Sequence, residues 1–263
     1  MIKVTNLWKR YGKFQVLKGL NLEIAAGETV VILGRSGVGK SVLLRQIMGL
    51  EIPDQGSVEI EGTDITHMTP KKRAPYMLNM GMLFQNSALF DSMTVGQNAS
   101  FYLTQHPDNH TKKWLTAAET HTRVEEALKM VGLEGTENKM PSDLSGGMRR
   151  RAALARMLAY RPTILLYDEP TAGLDPVTSM QINELIQRIQ KELRATSIVV
   201  THDLRSALEV GDRLAFHHEG KILQIAPKDH FFQVDDPLVH AFLENSLLPE
   251  SVVPKRRPDA RSN

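Results

Sequence analysis

Residues 29–48 read TVVILGRSGVGKSVLLRQIM. The first five, TVVIL, form a strand-sized apolar run, and residues 42–48 have helical character that stops at Gly49. Between them, Gly34, Arg35, Ser36, Gly37, Val38, Gly39, Lys40 and Ser41 fill all eight positions of the phosphate-loop pattern, and Val42 opens the helix. Glycines let a backbone curl so that several N–H groups point inward, and the helix start adds its positive dipole end. Together these groups would cradle a β-phosphate. Lys40 would reach the β- and γ-phosphates, and the Ser41 hydroxyl would ligate Mg²⁺. A glycine-rich turn without function could carry the same letters. The strand before it and the helix after it favour the phosphate reading.

Residues 164–170 read ILLYDEP, a second apolar strand whose end carries two acids. A third apolar strand covers residues 197–200, and the helix between them places Ile182, Leu185, Ile186, Ile189 and Leu193 on one face. Apolar strands alternating with helices imply an α/β fold around a mostly parallel sheet buried on both sides. Asp168 and Glu169 then emerge at the carboxyl end of their strand, where such sheets bind ligands. Asp168 suits the Mg²⁺ shell, and Glu169 suits polarising the water that attacks a γ-phosphate. Without a phosphate loop the same pair would read as a cap for the next helix.

Val4, residues 16–24, Val58 and Ile60 alternate as half-buried strands do, which predicts an N-terminal antiparallel β-subdomain. Residues 88–160 are rich in helical pattern, with a polar loop near 106–113, and read as a helical subdomain inserted in the α/β core. Residues 236–263 read as a short helix over 238–247 and a disordered basic tail. Tyr11, in a KRYG segment upstream of the phosphate loop, is placed to stack on a base, though a lone tyrosine at a strand end also suits packing.

Composition narrows the function classes. The 263-residue chain suits one large core with a grafted subdomain. It contains no run of about 18 apolar residues, so no membrane span is expected. Its start does not read as a signal peptide, which predicts a cytoplasmic protein. With no cysteine, disulfides, thiol catalysis and cysteine-ligated metals are excluded. A net charge of +2 gives no case for nucleic acid. The basic clusters at 149–151 and 255–261 read as solvated surface.

Residues 144–148, LSGGM, carry the resemblance that joins these features. The chain resembles the ATP-binding subunits of ABC transporters, in motif order from Tyr11 through residues 34–41, Gln85 in MLFQ, Ser145, Gly146 and Gly147, Asp168 and Glu169, Asp175 in AGLDP, and His202 in VVTHD. A small-molecule kinase has no use for LSGG or AGLDP. ABC proteins of repair or translation usually carry a long coiled-coil insertion or two cassettes, which this chain lacks.

The resemblance implies a P-loop NTPase core over residues 1–235 that hydrolyses ATP with Mg²⁺. It further implies a head-to-tail homodimer in which Ser145, Gly146 and Gly147 of one subunit close on nucleotide held by the other. Gln85 would sense Mg²⁺ or the attacking water, His202 would hold the γ-phosphate, and Asp175 would relay between subunits. The implied partners are integral-membrane permease subunits, reached from the cytoplasmic face of the bacterial inner membrane.

A narrower likeness lies in LSGGM followed by RRRAALAR, together with MLFQNSALFDSMTV at 82–95. Both are similar to the ATPases of the Mla and MCE-associated systems, which implies phospholipid transport and an MCE-domain lipid-binding protein with accessory subunits. An importer of a polar solute is the alternative. Leu89, Phe90 and Met93 read as exposed and suited to grip an amphipathic permease helix, or else as core of the helical subdomain.

Overall fold

The computed structural model describes residues 1–233 and 236–245. In chain order its elements begin with β1 (Ile2–Tyr11), β2 (Phe14–Ile24), β3 (Thr29–Leu33), α1 (Lys40–Ile47), β4 (Gln55–Ile60), β5 (Thr63–Asp64), α2 (Pro70–Leu78) and β6 (Met80–Leu83). Then come α3 (Val95–Gln105), α4 (Ala117–Met130), α5 (Gly146–Leu158), β7 (Ile164–Asp168), α6 (Pro176–Leu193), β8 (Thr196–Thr201), α7 (Leu204–Val210), β9 (Arg213–His218), β10 (Lys221–Pro227) and α8 (Pro237–Asn245).

Two sheets result. The antiparallel one runs β2-β1-β4-β5, and the second runs β10-β9-β3-β8-β7-β6 with only β9 and β10 antiparallel. The fold is thus the α/β arrangement that the apolar strands imply. β3, β7 and β8 are buried along their whole length, as strands covered on both faces must be.

The two-residue period of those strands divides the core. Val30, Ile32, Leu166, Ile198 and Val200 pack with α1 and the antiparallel sheet. Val31, Leu33, Leu165, Tyr167 and Val199 face the helices α3 to α7. A one-residue slip in any of these strands would exchange the two faces.

Between Thr5 and Trp8 the register of β1 against β4 shifts, and Asn6 sits at φ 47. Gly56 faces this bulge: a Cβ there would come within 2.2 Å of the Asn6 carbonyl oxygen, so only glycine fits.

The helices start where the chain supplies caps. Thr94 with Gln97 and Thr116 with Glu119 form capping boxes for α3 and α4, Ser145 caps α5, and Asp175 caps α6 with Pro176 in its first turn. Within 88–160, described throughout, α3, α4 and α5 are the regular elements apart from a 3₁₀ turn at Pro141–Asp143. Among the described residues no helix is long and apolar enough to cross a membrane.

Two readings of surface need correction. Arg150, in the cluster at 149–151, is buried while Arg149 is exposed. Of the residues read as exposed before α3, only Phe90 is so; Leu89 and Met93 are half-buried, and Leu89 packs on the helical core. The basic tail and residues 246 and 247, the end of the expected last helix, lie outside the described residues.

Candidate functional site

Four parallel strands end on one rim. β3 leads into the loop at 34–39, β6 ends two residues before Gln85, β7 ends on Asp168 with Glu169 next, and β8 ends one residue before His202. Sheet topology, not proximity in sequence, brings these side chains together, as expected for the carboxyl edge of a parallel sheet.

A cleft of about 310 Å³ opens there. The loop and its helix supply Ser36, Gly37, Gly39, Lys40, Ser41 and Val42, the other strand ends supply Gln85, Glu169 and His202, and Tyr11 closes one side. Gly37 lies at φ +80 with open space where a Cβ would stand, so the loop leaves room beside its backbone. Gly34 lies beneath, where a Cβ would meet the His217 carbonyl oxygen at 2.5 Å. Arg35 takes part through its carbonyl, and Val38 packs beside Gly34.

The charges are tightly arranged. Lys40, 5 % exposed, donates from Nζ to the carbonyls of Gly34 (2.8 Å) and Arg35 (3.0 Å), and lies 3.3 Å from Glu169 Oε1. The other carboxylate oxygen of Glu169 lies 2.9 Å from His202 Nδ1. Glu169 itself has φ 49, a left-handed conformation that a glutamate adopts only when its surroundings fix it, and its N–H donates to the Val200 carbonyl at 2.9 Å.

Ser41 Oγ donates to Asp168 Oδ1 at 2.8 Å. Burial pushes the Asp168 carboxyl up from its usual range, the Ser41 hydrogen bond opposes that, and the Glu169 charge adds to it. A buried acid under this strain, with a hydroxyl oxygen beside it, is a donor set that fits a hard divalent cation.

Tyr11 is 41 % exposed, and its hydroxyl donates to Glu51, which also pairs with Arg45 at 2.9 Å. The ring is thereby held at the cleft edge, with Lys9 Nζ 5.6 Å from its centroid.

The remaining motif residues lie elsewhere. Among the residues lining the cleft are none of Ser145, Gly146, Gly147 and Asp175. Ser145 and Gly146 are exposed at the start of α5, where the Ser145 hydroxyl accepts from the Met148 N–H at 3.3 Å. Gly147 is buried against Thr178; a Cβ there would come within 2.6 Å of Thr178 Cγ2. Asp175 accepts from the N–H groups of Val177 and Thr178 at 3.1 and 3.0 Å, so in the single chain it acts as a helix cap.

An ABC transporter family model matches residues 17–172, more than half of the chain and all the cleft residues except Tyr11, Val16 and His202. The chain belongs to the ABC transporter family. It is similar to the sulfate/thiosulfate import ATP-binding protein CysA of Synechocystis sp., 41% identical over 254 residues that cover 95% of this chain and 68% of that protein. It is also similar to the probable ribonucleotide transport ATP-binding protein mkl of Mycobacterium leprae, 40% identical over 242 residues covering 92% of this chain and 68% of that protein. Among solved structures, the ATP-binding cassette MJ0796, captured as a post-hydrolysis dimer with ADP and Pi, superposes with a TM-score of 0.78 at 32% identity, covering 87% of this chain and 99% of that one. This ABC protein is therefore an ATP-binding, ATP-hydrolysing transporter subunit.

Sequence reasoning missed one residue beneath the site. His217 on β9 is 1 % exposed, and neither ring nitrogen has a hydrogen-bond partner among the described residues. Burial, helped by the charge of Lys40 and by His218, holds its pKa down at about 4 against an ordinary 6.5. A buried neutral imidazole favours the folded state above pH 6.5, and this contribution is lost as pH falls from 6.5 towards 4, because only the unfolded chain takes up the proton. The loss should approach ~3 kcal/mol. Thermal unfolding at steps from pH 7 to pH 4.5 should show His217→Met losing less stability than the parent. Parallel curves would show that the imidazole is not the group responsible.

Proposed function

We propose that this ABC protein works as a homodimer whose two ATP sites each combine the cleft of one subunit with the signature serine and glycines of the other, and that it powers lipid transport by an integral-membrane permease. The observation that carries the nucleotide reading is Glu169 wedged between Lys40 and His202 on the same rim as the Ser41–Asp168 pair.

In this reading Lys40 leaves Glu169 for the β- and γ-phosphates when ATP enters, which frees a carboxylate to accept a proton from the attacking water. His202 holds the γ-phosphate, Tyr11 stacks on adenine, and Gln85 sits where the water is placed. Ser41 and Asp168, with Gln85, would hold Mg²⁺, which supplies neutralising charge across the phosphates. Asp175 relays between subunits. Support for the pair comes from Ser145 and Gly146, a helix start facing solvent and away from the chain's own cleft, and from the dimeric state of MJ0796.

Lipid as the cargo rests on residues 82–95 and 144–156, similar to Mla-type ATPases, with the exposed Phe90 available to a permease helix. Those systems include an MCE-domain lipid-binding protein, and in this reading the ATPase sits at the cytoplasmic face of the bacterial inner membrane. The relatives named for sulfate/thiosulfate import favour a second reading, an importer of a polar solute. Purification with native membrane partners decides between them: the lipid reading expects a permease, an MCE-domain subunit and bound phospholipid. A periplasmic solute-binding protein without lipid would replace it by the import reading.

A further inference from the structure

Of the three arginines that follow the signature, Arg150 is 4 % exposed. Burying a guanidinium away from water is unfavourable unless its N–H groups find acceptors. Arg150 finds acceptors for Nη1 and Nη2 in two loops, while Nε has none among the described residues. Nη1 donates to the Phe84 carbonyl at 2.8 Å, and Nη2 reaches the Ala172 carbonyl at 3.4 Å. Phe84 immediately precedes Gln85. Ala172 is three residues past Glu169, in the turn that leads to Asp175, and its own N–H donates to the Glu169 carbonyl at 3.1 Å. One side chain on the signature helix therefore holds the two loops that carry Gln85 and Glu169.

A second arginine on α5 reinforces the first. Arg156 donates to the Ala88 carbonyl at 2.6 Å and the Ser87 carbonyl at 3.4 Å, and its guanidinium carbon lies 5.7 Å from the Phe90 ring centroid. Ser87 and Ala88 have φ of 63 and 47, two successive non-glycine residues in the left-handed region. Such a turn persists only where its surroundings over-determine it, and Arg156 provides that restraint. From Phe84 to Ala88 the segment around Gln85 is thus fastened at both ends to α5.

We propose that Arg150 is a positioning residue for ATP hydrolysis, which sets Gln85 and Glu169 relative to the signature helix, with Arg156 as the second anchor of the Gln85 turn. This rests on Gln85 and Glu169 belonging to the nucleotide site. Arg150 touches no nucleotide in this scheme. A movement of Ser145 against the partner's ATP is carried along α5 and shifts Gln85 against Glu169 in the same subunit, so the two half-sites of one chain are mechanically linked.

Steady-state ATPase kinetics on the full-length protein test this with Arg150→Met, Arg150→Lys, Gln85→Ala and the Arg150→Met/Gln85→Ala double variant. Two charge-assisted hydrogen bonds are removed in Arg150→Met, so kcat should fall about 10- to 100-fold with KM for ATP within about twofold. Arg150→Lys, which keeps the charge and one donor, should recover part of the loss. The double variant should be no slower than the slower single, because both changes act on one arrangement.

Losses that multiply in the double variant, or a rise in KM that accounts for the whole defect, would overturn the proposal. Wild-type turnover in Arg150→Met with a slow Gln85→Ala would overturn it while leaving the site reading intact. Wild-type turnover in Gln85→Ala would remove both. If Arg150→Met does not fold, hydrogen exchange of Arg150→Lys takes its place: faster exchange confined to residues 85–88 and 171–174 supports the linkage, and faster exchange spread along α5 overturns it.

Discussion

Glu169→Gln should lower ATP turnover by about a thousandfold, the loss expected when a general base that positions water is replaced by a group that cannot accept a proton. The carboxylate is held at both oxygens, 3.3 Å from Lys40 Nζ and 2.9 Å from His202 Nδ1, and its backbone is fixed at φ 49 by the bond to Val200. An amide of the same size keeps the backbone and much of the packing. It also removes the negative charge that faces Lys40, so ATP affinity should hold or rise while hydrolysis stops. The variant should therefore accumulate ATP-bound dimers, visible by light scattering, at concentrations where the parent cycles back to monomer. Phosphate release in a single turnover measures the chemical step directly. Release at the parental rate would take the role away from Glu169 and leave the cleft as a binding site alone.

The parts of this protein legible in its sequence are those in which local pattern and local structure coincide. Residues 29–48 announce strand, loop and helix because the glycines that curl the backbone stand between an apolar run and an amphipathic one, and β3 and α1 form there. β7 and β8 were legible for the same reason, as short apolar runs bounded by turns.

β6 was not. Its four residues, MGML, include Gly81, which reads as a break in a strand; the structure shows that a Cβ there would come within 2.4 Å of Met157 Cγ, so α5 packs directly on the strand backbone. Helix α2 escaped because Pro75 lies inside it and its first turn is basic. β9 and β10 carry His217, His218 and Gln224 among their apolar residues, and the pairing of β9 with β3, which sets β10 at the sheet edge, is a long-range fact. Arg150 is the sharpest case. In sequence it is the middle of a charge run, and only the approach of Phe84 and Ala172, distant along the chain, turns it into a buried cross-link. Tertiary contacts decide such positions, and periodicity cannot report them.

The largest effect of all should come from breaking the two halves of the composite site separately and then mixing them. Lys40→Met removes the buried cation that bonds to Gly34 and Arg35, and Ser145→Arg places bulk and positive charge on the exposed start of α5. Each variant alone should lose at least about a thousandfold in turnover, since every site in either homodimer is missing one half. Ser145→Arg also removes the cap that receives the Met148 N–H, a loss of about 1 kcal/mol that Ser145→Ala controls for.

The mixture distinguishes the head-to-tail pair from any arrangement in which a chain completes its own site. A mixed dimer joins the sound phosphate loop of the Ser145→Arg chain to the sound signature of the Lys40→Met chain, so one of its two sites is wild type. With random pairing, equal amounts should recover up to about a quarter of parental turnover, because half the dimers carry one intact site. Chains that work alone would show no recovery at any mixing ratio, and recovery that failed to depend on total protein concentration would equally contradict the pairing. The outcome turns on one geometric fact, that Ser145 and Gly146 are exposed at the start of α5 while Lys40 is buried, bonded to the Gly34 and Arg35 carbonyls and beside Glu169.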